Sequence, residues 1–133
     1  MIGLDTNVLI RYLAQDDPRQ SPLATRFIEK KLSASEPGFI ALVVVAEVVW
    51  VLVSLYKADR RKIVEVLEGI LTTEQLRVES AELVWRALRR FERSKADFSD
   101  ALIAESAVSA GCSRSVTFDR NAATTAGFEL LSS

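Results

Sequence analysis

The chain has 133 residues, of which 49% are hydrophobic and 26% charged, enough apolar content for one packed core and too much for disorder. Its net charge of −1 excludes a general basic coat for gripping nucleic acid, so any such binding has to use a local patch. With no histidine and a single cysteine, Cys112, the chain has no Ser-His-Asp or Cys-His nucleophile pair, no zinc site of imidazoles or thiolates and no internal disulfide. A hydrolase of this composition has to work with carboxylates, lysines, hydroxyls or a hard metal ion.

In chain order, Ile2 to Leu4 reads as a short strand and Asn7 to Ala14 as a helix ended by Asp16-Asp17-Pro18. Asp5 and Arg11 break the basic-then-apolar design of a signal peptide, and the lone cysteine accords with a reducing cytoplasm, the expected location. A second helix runs from about Gln20 to Leu32, followed by a loop and a buried strand at Phe39 to Leu42. The next helix spans about Val44 to Tyr56. Asp59 can cap another through Leu71, with Ile63, Val64, Leu67, Ile70 and Leu71 at helical spacing. Leu76 to Val78 is a strand, and Ser80 is read as the cap of a helix running to about Ser94. After Asp97 a further helix extends to a C-terminal cap at Gly111; then come a strand at Ser115 to Phe118, a short helix near Ala122 and a last strand at Phe128 to Leu131. This alternation implies an α/β fold, a mostly parallel sheet with helices on both faces, in a single domain over residues 1–133. The apolar run Phe39 to Leu55 is shorter than the roughly 20 residues of a membrane span and carries Glu47 at its middle, so it reads as a strand feeding a buried helix.

Four acids fall where ligands of open α/β sheets bind, beyond the carboxyl ends of strands or on a helix that can reach there. Asp5 ends the first strand, Glu47 lies early in the helix after the second, Asp100 opens the helix before the fourth, and Asp119 follows that strand. Clustered carboxylates repel one another unless a cation or a raised pKa relieves them, and such oxygen ligands suit Mg²⁺ or Mn²⁺. A cation held there would polarise a phosphodiester and activate water. Each acid also has a plainer role. Asp5 and Asp119 can cap the helices that follow them, and Asp100 can be the third residue of a capping box opened by Asp97. Glu47 stands among Val44, Val45, Ala46, Val48, Val49 and Trp50, where a lone buried charge would be costly, which favours a metal over a structural arginine partner.

The blocks Leu4-Asp5-Thr6-Asn7-Val8-Leu9, Ala46-Glu47-Val48-Val49-Trp50-Val51-Leu52, Asp97-Phe98-Ser99-Asp100-Ala101-Leu102-Ile103-Ala104 and Thr117-Phe118-Asp119-Arg120 together resemble a PIN domain, most of all the VapC toxins of toxin–antitoxin pairs. The resemblance covers nearly the whole chain. It implies a three-layer sandwich around a central, mostly parallel sheet, and Mg²⁺- or Mn²⁺-dependent endoribonuclease activity. It further implies an RNA substrate, a VapB antitoxin and commonly a homodimer. The family's acidic site maps onto Asp5, Glu47, Asp100 and Asp119, with Asn7, Thr117 and Asp97 in support. The strongly apolar run before Glu47 departs from the polar residue more usual there. A haloacid-dehalogenase-type phosphatase needs a second Asp two residues after the first, where this chain has Asn7. The remaining alternative is a catalytically silent PIN scaffold that binds RNA or a protein, against which the presence of all four acids argues.

Arg86, Arg89, Arg90 and Arg93 share one face of a helix whose other face carries Val84, Leu88 and Phe91. They are read as a solvated face or, in an acidic nuclease, as contacts for RNA phosphates or an antitoxin. Arg11, some two turns beyond Asp5, is a further candidate for RNA contact. Trp50 and Trp85 are read as core or interface residues.

Overall fold

In the computed structural model, which describes residues 1–132, short parallel strands alternate with amphipathic helices. The chain falls into two compact units, one of Met1–Ala81 and one from Glu82 onward.

The first unit runs β1 (Ile2–Gly3), α1 (Thr6–Ala14), α2 (Gln20–Arg26), β2 (Gly38–Ile40), α3 (Leu42–Tyr56), α4 (Arg60–Thr72) and β3 (Leu76–Val78). Its strands pair in parallel in the order β1-β2-β3. Parallel neighbours need long crossovers, which the two helix pairs supply. Gly38 pairs with both Ile2 and Leu76, and a Cβ there would lie 2.8 Å from side-chain carbons of Leu4 and Leu32, so glycine lets two buried leucines close over the middle strand. Leu9, Ile28, Ile40, Val48, Ile63 and Leu67 form the core of this unit.

The helix boundaries follow local chemistry. α1 ends at Ala14, two residues before the Asp-Asp-Pro segment, because Gln15 turns into the left-handed region (φ 53°) and gives its N–H to the Arg11 carbonyl. α2 does not continue as a regular α-helix; its last stretch widens into a π-helical turn over Phe27–Lys31. Asp59 caps α4 as expected, accepting from Lys62 N at 2.8 Å. α3 begins two residues earlier than expected. Ala41 has no side chain with which to cap it, and the Glu79 carboxylate beyond β3 accepts the Leu42 N–H at 2.7 Å instead.

The second unit takes in all but the first residue of α5 (Ala81–Arg93), then α6 (Phe98–Ser109), β4 (Val116–Thr117), α7 (Arg120–Ala126) and β5 (Glu129–Leu130), with β4 and β5 paired in parallel. Leu83, Val84, Ala87, Leu88 and Phe91 make the buried stripe of α5, and the Phe91 and Phe98 rings meet edge to face with centroids 6.0 Å apart. Ser80 does not have a capping conformation: its φ of 52° is left-handed, whereas a capping residue is extended. Among the described residues, no helix is long and apolar enough to cross a membrane.

Candidate functional site

In the first unit, Asp5 is the N-cap of α1, its Oδ1 accepting the Val8 N–H at 3.0 Å. The next residue, Thr6, donates its hydroxyl to Glu47 Oε1 at 2.8 Å, which ties the carboxylate of α3 to the N-terminus of α1. Thr6, the residue next to Asp5, is thus bonded to Glu47 across 41 residues, a link that no local sequence pattern shows. Asn7 is exposed beside Asp5, and both line a cavity of about 570 Å³ with apolar walls that include Val8, Leu23 and Phe27.

Contrary to the buried setting that its apolar neighbours imply, Glu47 is exposed. Helical periodicity turns Val44, Val45, Val48, Val49 and Leu52 inward, and leaves Val43, Glu47 and Trp50 facing out. The cost of burying a charge therefore says nothing about Glu47; its hydroxyl partner does. Trp50, 62% exposed, is not a core residue.

In the second unit, Asp97 is the N-cap of α6 and accepts the Asp100 N–H at 2.8 Å. Asp119 is the N-cap of α7, accepting from Asn121 N at 2.8 Å, while its own N–H donates to Thr117 Oγ1 at 3.0 Å. Partial burial holds the Asp100 carboxyl above the ordinary carboxylate range, and the negative charges of Asp97 and Asp119 raise it further. Asp97, Asp100 and Asp119 thus stand within electrostatic reach of one another. In neither unit, among the described residues, do three acidic side chains converge closely enough to enclose an ion. The donor set nevertheless suits a hard divalent cation: it consists of carboxylates, and the mutual repulsion at Asp100 is what such a cation would relieve.

All five arginines expected to contact RNA have partners within the protein. Arg11 donates to Gln20 and pairs with Asp16 at 3.4 Å. Arg86 and Arg90 both pair with Glu105 of α6, at 3.7 and 3.1 Å. Arg89 binds Glu92 at 2.6 Å and lies over the Trp85 ring, 5.0 Å from its centroid. Arg93 donates to the Arg89 carbonyl.

The PIN domain family model matches residues 2–127. A VapC ribonuclease of Aquifex aeolicus (strain VF5) is 30% identical over 117 residues, spanning 88% of this chain and 86% of that protein. A crystal structure of Mycobacterium tuberculosis VapC20, described as a sarcin-ricin loop cleaving toxin, aligns over the whole of both chains at 22% identity with a TM-score of 0.46. The acidic blocks, the parallel α/β architecture and a family match spanning almost all of the sequence agree: the chain belongs to the PIN domain family.

Proposed function

We propose that this chain is a VapC-like endoribonuclease, a single PIN-like domain over residues 1–133 that hydrolyses RNA with Mg²⁺ or Mn²⁺ held by Asp5, Glu47, Asp100 and Asp119. The observation that carries this is the PIN family match over residues 2–127, together with Asp97, Asp100 and Asp119 at the starts of α6 and α7, where partial burial first and the neighbouring acids second raise the Asp100 carboxyl. The 30% identity to a VapC ribonuclease supports the same reading. When bound, the ion supplies Lewis-acid stabilisation of phosphoryl charge and makes water a better nucleophile.

The chain's own groups do the positioning. Thr6 orients Glu47, and the Thr117 hydroxyl holds the backbone of Asp119. Asp5 and Asp119 each engage Oδ1 in a cap, so capping and metal binding are compatible roles for one side chain. The exposed Asn7 amide offers a donor to phosphate or ribose at the edge of the cavity it shares with Asp5. Arg11, Arg86, Arg89, Arg90 and Arg93 remain candidates for contact with the RNA backbone.

A VapB-like antitoxin would neutralise the protein by setting a cationic side chain, an arginine, against these acids. The exposed α3 face of Val43, Trp50 and Val53 supports a homodimer, since apolar faces of this kind mark interfaces. The proposed location is cytoplasmic, without membrane association. The deciding experiment incubates purified protein with RNA and Mg²⁺ or Mn²⁺. Cleavage that stops on addition of EDTA, and is absent from Asp100→Asn, supports the proposal. RNA binding without cleavage would make the chain a silent scaffold.

A further inference from the structure

Arg90 differs from its neighbours on α5. Its side chain is 31% exposed, against 49% for Arg86 and 48% for Arg89, and its guanidinium bonds in two directions. Nε donates to Glu105 Oε1 at 3.1 Å in the middle of α6, and Nη1 donates to the Ala126 carbonyl at 3.1 Å in the last turn of α7. Both partners are well covered: the Glu105 side chain is 12% exposed and Ala126 2%. Gly127 then turns left-handed (φ 78°) and ends α7 directly beside the guanidinium. A planar fork with fixed donor directions can hold two helices at once, whereas a lysine ammonium holds neither direction.

The helices held in this way are the two that begin with the acids of this unit, Asp97 and Asp100 on α6 and Asp119 on α7. Asp119 lies about 10 Å along α7 from the clamped carbonyl, at about 1.5 Å per residue. A tilt of about 10° about that point would move the carboxylate by nearly 2 Å, while metal–ligand distances tolerate only about 0.2 Å.

We propose that Arg90, braced by Glu105, is a positioning residue that sets the spacing of Asp100 and Asp119 and makes no contact with RNA. This rests on the reading of those two carboxylates as metal ligands. It withdraws Arg90 from the candidate RNA contacts and leaves Arg11, Arg86, Arg89 and Arg93 there.

The test measures Mn²⁺ binding to the full chain without RNA, by calorimetry or electron paramagnetic resonance, for wild type, Arg90→Lys and Glu105→Gln. The affinity of each for a labelled RNA oligonucleotide in EDTA is measured in parallel. All measurements are made well below the unfolding temperature of each variant. We expect both variants to bind Mn²⁺ about tenfold more weakly, as when a supporting group behind a metal ligand is lost, with RNA affinity unchanged. A purely stabilising role would lower the unfolding temperature and leave the Mn²⁺ affinity unchanged, which overturns the proposal. Loss of RNA affinity with Mn²⁺ binding intact also overturns it, returning Arg90 to the RNA contacts. If wild type itself binds no Mn²⁺, the reading of the acids as a metal site fails, and the role of Arg90 fails with it. That failure is distinct, because it appears before any substitution is made.

Discussion

Asp97 Oδ1 accepts the backbone N–H of Asp100 at 2.8 Å, so of two acids three residues apart the first caps α6. Asparagine caps a helix about as well as aspartate but brings no charge to a cation. Asp97→Asn is therefore expected to fold normally and keep most of its metal-dependent RNA cleavage. Asp97→Ala should lose about 1 kcal/mol of stability with the cap. Asp100→Asn should abolish cleavage without lowering the unfolding temperature of the metal-free protein, because it removes a repelled charge. RNA cleavage and thermal unfolding of the three variants check this. An inactive but folded Asp97→Asn would make Asp97 a metal ligand.

The raised Asp100 carboxyl also has a pH signature. Its folded pKa lies above the ordinary value of 3.8, so its contribution to stability is full below that value and is lost as pH rises through the folded pKa. The metal-free protein should gain stability from this group on acidification into that window, and Asp100→Asn should lack that component. A divalent cation binds the ionised form, so the stabilisation it confers should grow as pH rises through the same window. Unfolding temperatures from pH 4 to 7, with and without Mn²⁺, measure both slopes; equal effects of Mn²⁺ at all pH values would exclude Asp100 as a ligand.

Thr6 holds Glu47 by a 2.8 Å hydrogen bond, and valine is close to it in shape without the hydroxyl. Thr6→Val should weaken Mn²⁺ binding and lower kcat/KM for RNA about tenfold, the lower end of the usual loss for an outer-shell partner. Thr6→Ser should restore both. Equal Mn²⁺ affinity in Thr6→Val and wild type would show that the bond is only a surface contact.

Without histidine, the chain lacks the usual acid–base pair for driving a ribose 2′-hydroxyl onto phosphorus. Cleavage by water should leave a 5′-phosphate and a 3′-hydroxyl. Mass spectrometry of the fragments reads the ends directly, and 2′,3′-cyclic phosphates would show that the ribose was the nucleophile.

How much of this was legible in the sequence depends on the range of the interaction. Caps act within one turn, so Asp5, Asp59, Asp97 and Asp119 could be read from spacing alone, as could the buried stripe of α5 and the strand at Leu76–Val78. The missing histidines and the acid-bearing blocks likewise narrowed the chemistry without any coordinates. What stayed hidden was decided by contacts between residues far apart in the chain. Glu47 read as buried because its neighbours are apolar, but a helix rotates each residue by about 100°, and only packing shows which side faces out. The Thr6–Glu47 bond spans 41 residues, the Leu42–Glu79 cap 37 and the Arg90–Ala126 bond 36. The arginines of α5 looked like one stripe because helical spacing gives direction but not partner. The tertiary structure turned Arg90 toward Glu105 and the end of α7, where a charge half removed from water needs a fixed counter-charge and a carbonyl to receive its protons.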